Sequence, residues 1–265
     1  MRMPSSLKII VPFLAPSLAL LALTGAAPAA DAPQQRTVKI GNGIDVPVQV
    51  YPARGRELIL WLPSAAEEGP SNRQLAARLA REGFEVWMAD FLNARFLPEL
   101  LSSLDEIPGT DVATVIEAAA ASGKQVVLLS GGRGALPLLA GAQAWRARHP
   151  GGQGLTGAVL LYPHLYVGTP EPGYDADYLP VVGATRLRIV ILQPQLSPWY
   201  WQLDRLKAEL ARGGSVVTVK SFANVRDRFY FRPETTPEEN ALAARFPALL
   251  REAVTELKST QEPAR

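Results

Sequence analysis

From residue 58 onward, short apolar runs alternate with stretches of helical spacing to the end of the chain. Glu57-Leu58-Ile59-Leu60-Trp61-Leu62 is continuously apolar after its first residue, the pattern of a strand buried on both faces. Runs at 84–92, 125–129, 155–161, 187–192 and 215–219 read as further strands. Residues 73–82, 111–121, 134–148, 199–212 and 237–258 read as helices. Ser71 or Asn72 stands where a cap belongs and Gly83 where the first helix should close. Pro237 with Glu238 and Glu239 suits the start of the last one. Ahead of these units, Thr37-Val38-Lys39-Ile40 and 46–51 flank Gly41-Asn42-Gly43, an opening hairpin. The alternation predicts an α/β domain with a mostly parallel, doubly wound sheet and helices on both faces. A Pro-, Gly- and Tyr-rich segment at about 163–185 has no period. It reads as a cap or insertion over the C-terminal edge of the sheet, where such folds place their sites.

The N-terminus follows a different pattern. Arg2 and Lys8 precede an apolar run over 9–23 interrupted by Pro12 and Pro16, and Ala27-Pro28-Ala29 offers small residues for a peptidase. The run is about 15 residues, short of the ~20 that a membrane span needs. Residues 1–29 are therefore read as a Sec-type signal peptide, the alternative being an uncleaved anchor. The mature chain would start near Ala30 or Asp31 and be periplasmic or secreted, with 30–265 as one domain and no membrane contact after cleavage.

Composition then narrows the chemistry. The chain is 48% hydrophobic and 20% charged, which is globular. Its net charge of +2 vanishes once Arg2 and Lys8 leave with the leader, so composition makes no case for nucleic acid as a partner. The absence of cysteine removes disulfides, thiolate nucleophiles and metal–thiolate sites. His149 and His164 are the only histidines, too few for a multi-histidine metal site. No metal and no cofactor is expected.

The opening hairpin, the strand–helix units and the glycine-rich turn Leu128-Leu129-Ser130-Gly131-Gly132-Arg133-Gly134-Ala135 together resemble the α/β-hydrolase fold over most of residues 36–258. In that family this turn carries small-x-nucleophile-x-small, the nucleophile elbow. The resemblance implies Ser130 and Gly134 as the small flanks and position 132 as the nucleophile, where this chain has glycine. It implies an acid after the strand that follows the insertion, where the chain reads Gln193-Pro194-Gln195-Leu196-Ser197-Pro198. It implies a histidine in the loop 224–230, where Arg228 stands. Arginine cannot take up a proton at neutral pH. All three triad roles are vacant, and losing even one removes orders of magnitude of activity. A displaced site remains open: Ser64, in the loop that supplies an oxyanion donor in hydrolases, or Ser130, either one with His164.

Charge at the same edge invites another use. Gly131 and Gly132 with the helix start near Gly134 present backbone N–H groups, and Arg133, Arg226 and Arg228 lie on loops the fold would bring together. They could cradle a carboxylate, phosphate or sulfate. They could equally form an internal salt-bridge network with Glu67, Glu68, Asp227 and the carboxylates of the insertion. Three functions follow: a non-catalytic protein, or pseudoenzyme, binding a small anionic ligand or a periplasmic protein partner; an ester hydrolase with a displaced Ser/His site; or a scaffold module.

Overall fold

The computed structural model describes residues 33–64, 69–171 and 173–259. The leader predicted over 1–29 lies outside them, as do Glu67 and Glu68. Eight strands form one sheet: β1 (Gln34–Lys39), β2 (Asp45–Tyr51), β3 (Glu57–Leu62), β4 (Glu85–Ala89), β5 (Gln125–Gly131), β6 (Leu155–Leu161), β7 (Arg188–Pro194) and β8 (Val216–Phe222). Their order is β1-β2-β4-β3-β5-β6-β7-β8. β2 runs antiparallel to β1 and β4, and every other pairing is parallel. The α/β, doubly wound reading holds.

The helices are α1 (Pro70–Arg81), α2 (Phe91–Ala94), α3 (Gly109–Ala120), α4 (Ala135–Arg148), α5 (Pro180–Ala184), α6 (Leu203–Arg212), α7 (Pro237–Ala244) and α8 (Phe246–Ser259). Leu75 and Leu79 of α1 and Leu249 and Leu250 of α8 pack with Ile59, Trp61 and Val127 on one face of the sheet. Val112 and Ile116 of α3, Leu138 of α4 and Leu206 of α6 pack with Leu58, Leu60 and Leu128 on the other. The odd–even split along each strand explains why the central strands carry apolar residues on both faces.

Several boundaries differ from the sequence reading, each for a local reason. The cap of α1 is Gly69, because Pro70 already starts the helix, and Asn72 is buried within its first turn. β4 stops at Ala89 because Asp90 accepts the amide of Asn93 and turns Phe91 and Leu92 into α2. The helix read over 199–212 begins at Leu203, after a 3-10 turn at Tyr200–Gln202. The helix read over 237–258 breaks at Arg245. Pro247 has no N–H with which to continue the ladder, and the guanidinium of Arg78 takes the freed carbonyls of Ala243 and Ala244 at 3.0 and 2.9 Å.

Candidate functional site

The chain turns from β5 into α4 through a single 3-10 turn at Gly132–Gly134. Gly132 has φ +51°, the left-handed conformation that side chains resist. A Cβ at position 132 would meet only Ser64 Oγ and Tyr162 Cε2, each at 3.8 Å, an ordinary contact distance. Position 134 is different: a Cβ there would fall 2.4 Å from Ser130 Oγ and 3.3 Å from the Leu62 carbonyl. Gly134 thus lets the helix pass the strand, while Gly132 forms a crest with room beside it.

Ser130 lies beneath that crest. It is fully buried, and its hydroxyl donates to the Leu62 carbonyl at 2.7 Å. Ser64 comes beside Gly132, as the 3.8 Å distance shows. His164 donates its backbone N–H to the Gly132 carbonyl at 3.0 Å, but its ring turns away. That ring stacks on Trp199 with centroids 4.4 Å apart and 14° between planes, and tilts against Tyr166. Burial first, then the charge of Arg133, hold its pKa below the usual histidine value, with Asp105 opposing. Among the described residues the His164 ring makes no hydrogen bond.

Tyr162 follows β6 with φ +38°, and its hydroxyl shares a 3.0 Å hydrogen bond with that of Tyr230. The loops after β7 and β8 are joined by Gln195 N–H to Phe222 O at 2.9 Å and Leu196 N–H to Val225 O at 3.0 Å. They meet again where Ser197 Oγ donates to Asp227 Oδ2 at 3.0 Å. Burial pushes the Asp227 carboxyl up to about 6, opposed by the Ser197 hydrogen bond and the charges of Arg228 and Arg232. Gln193, where the family carries its acid loop, is buried and donates to the Pro194 carbonyl at 3.2 Å.

Two of the three arginines are bound internally. Arg133 is 8% exposed and makes a bidentate pair with Asp105, Nε to Oδ1 at 2.6 Å and a terminal nitrogen to Oδ2 at 2.5 Å. Its other terminal nitrogen donates to the Tyr166 carbonyl at 2.6 Å. Arg226 makes a bidentate pair with Glu239 at 2.7 and 2.8 Å. Glu239 also accepts the Thr236 amide in a capping box, and these contacts, the Arg226 bond foremost, hold its carboxyl down at about 2. Arg228 is exposed, with φ +59°. The sequence reading looked to Glu67, Glu68 and Asp227 as counter-charges. Glu67 and Glu68 lie outside the described residues; among those described, the partners are Asp105, from the 3-10 turn Leu101–Glu106, and Glu239 in the first turn of α7.

The 163–185 segment is tied down. Tyr166 and Tyr178 form an antiparallel bridge, and Val167 N–H reaches Asp177 O at 2.8 Å. Gln202 donates to Tyr174 O at 3.1 Å, and the Arg133 bond to Tyr166 anchors the cap to the glycine turn.

No family model matches this chain, and no curated protein of significantly similar sequence is found. Solved structures share its architecture. A proposed dienelactone hydrolase from Klebsiella pneumoniae superposes with a TM-score of 0.62 at 13% identity, over 84% of this chain and 98% of that one. A butyrate-bound thermophilic esterase from Thermogutta terrifontis gives 0.58 at 14% identity, over 87% and 96%. At such identities the likeness speaks for the fold alone. The chain has the α/β-hydrolase fold.

Proposed function

We propose that this chain is an exported, non-catalytic protein of the α/β-hydrolase fold that binds a small anionic ligand at the crest around Gly132. The observation that carries the reading is a glycine with φ +51° where the elbow needs a nucleophile. No side chain there can attack a carbonyl, and Arg228 in the histidine loop cannot serve as a base. The neutralised Arg133 and Arg226 narrow the cradle to the backbone N–H groups of the turn and to Arg228. The test has two parts. The purified chain should leave a p-nitrophenyl acyl ester at its background rate, and a thermal-shift screen of carboxylates, phosphates and sulfates should find a ligand whose shift is lost in Arg228→Ala.

One observation favours a second reading, an ester hydrolase with a displaced nucleophile. Ser64 Oγ sits 3.8 Å from where a Gly132 Cβ would be, close to the place of the missing hydroxyl. Ester turnover abolished by Ser64→Ala would establish that reading and end the non-catalytic one.

A further inference from the structure

A cavity of about 50 Å³ opens at the C-terminal ends of β3 and β4, against the first turn of α1. Its lining includes Gln49, Pro63, Gly69, Arg73, Met88 and Asp90. It is distinct from the crest: Pro63 walls it, while the next residue, Ser64, places its hydroxyl beside Gly132.

Strand register sets the chemistry of its floor. Gln49 pairs with Met88, Trp61 pairs with Met88 from the other side, and Tyr51 pairs with Val86. Gln49, Met88 and Trp61 therefore form one row across three strands, with Tyr51 two residues along β2 on the same face. Among the described residues, three buried polar atoms of this face have no hydrogen-bond partner: Gln49 Oε1, the Tyr51 hydroxyl and Trp61 Nε1. Tyr51 is 3% exposed and Trp61 is fully buried. Native folds rarely leave such groups unmatched, and here one lines an open cavity and two lie beside it.

The mouth carries both signs of charge. Arg73 is exposed and close enough to the Tyr51 hydroxyl for its charge to act there. Among the described residues Arg73 forms no ion pair. Gly69, the cap of α1, also lines the cavity. Opposite stands Asp90, one carboxylate oxygen of which accepts the Asn93 amide at 2.9 Å. One cation and one carboxylate in the lining match a ligand that is itself charged at both ends. The volume admits about three to five water-sized groups, the size of a very short amino acid.

We infer that this cavity binds a small α-amino acid as its zwitterion, with the ligand carboxylate on Arg73 and the ligand ammonium on Asp90, within a lining that includes Gln49.

Isothermal titration of the protein with glycine, L-alanine and L-serine tests this, with acetate and methylammonium as the two half-ligands. The amino acids should bind, and each half-ligand should bind at least about tenfold more weakly, since each forfeits one charged contact. Arg73→Gln and Asp90→Asn should each weaken amino-acid binding by a similar factor. The asparagine retains the oxygen that caps α2, and circular dichroism verifies that both variants are folded. A cavity holding water alone would give no heat with any amino acid, and that result overturns the inference. So does acetate binding as tightly as glycine, or affinity unchanged in both variants. Because Arg228 and Gly132 take no part, these results are independent of ligand binding at the crest.

Discussion

The Ser197 hydroxyl donates to Asp227 at 3.0 Å, joining the two loops in which the fold's working enzymes keep an acid and a histidine. The acid of this bond stands on the loop after β8, and its partner on the loop after β7 is a hydroxyl. The junction works as a structural tie, and its acid is one that folding holds in an unfavourable state at neutral pH.

That state has a pH signature. The Asp227 carboxyl moves from an ordinary 3.8 up to about 6 in the fold. Between these values the folded chain binds more protons than the unfolded one, so this group's contribution to stability declines as pH rises. The decline reaches up to about 3 kcal/mol above the folded value. Asp227→Asn removes the charge and leaves an oxygen to accept from Ser197. Urea unfolding at a series of pH values should show the variant gaining on the parent between about pH 4 and 7. A constant difference across that range would contradict the assignment.

The two glycines of the turn should respond differently to a methyl group. Gly132→Ala makes only ordinary contacts and loses the freedom of a left-handed backbone, about 1–2 kcal/mol. Gly134→Ala drives a Cβ against Ser130 and should lose about 1–3 kcal/mol from overpacking, part of it recovered when Ser130→Ala is added. Chemical denaturation of the two single variants and the double variant measures this. Additivity of Gly134→Ala and Ser130→Ala would refute the clash.

Arg133 should prove to be a brace. Arg133→Ala frees Asp105 and releases the Tyr166 carbonyl, and we expect a loss of about 2–3 kcal/mol. This is below the ~3–5 of a fully buried pair because the Asp105 side chain is 41% exposed. Limited proteolysis should then cut faster within 163–185. Unchanged stability and cleavage would return Arg133 to the role of a free ligand-binding cation.

The leader is tested directly. Expression of the whole gene in a bacterium with a Sec system, followed by N-terminal sequencing of the exported product, should give a start near Ala30 or Asp31. Recovery of the intact N-terminus in the membrane fraction would instead identify an anchor.

The order of strands and helices was legible in the residues because burial imposes a period on side chains. The 155–161 run is a strand to the residue, and the glycine turn stands where its spacing put it. Where burial is similar for two structures the period is silent. Phe84 to Leu92 is apolar apart from Glu85 and Asp90, and only the Asp90 cap divides strand from helix there. Pro247 was a visible break, overlooked within a run of otherwise helical spacing.

The local pattern of residues thus settled the strand–helix alternation and the glycine turn after β5, since both depend on neighbours close in the chain. It could not settle which charges meet. Arg133 finds Asp105 across 28 residues and Tyr166 across 33, and Arg78 reaches Ala243 across 165. Contacts of that range depend on how the sheet twists and where its helices land, and no spacing along the chain encodes them. The unpartnered polar atoms beneath α1 belong to the same class, because strand register alone places Gln49, Met88 and Trp61 in one row.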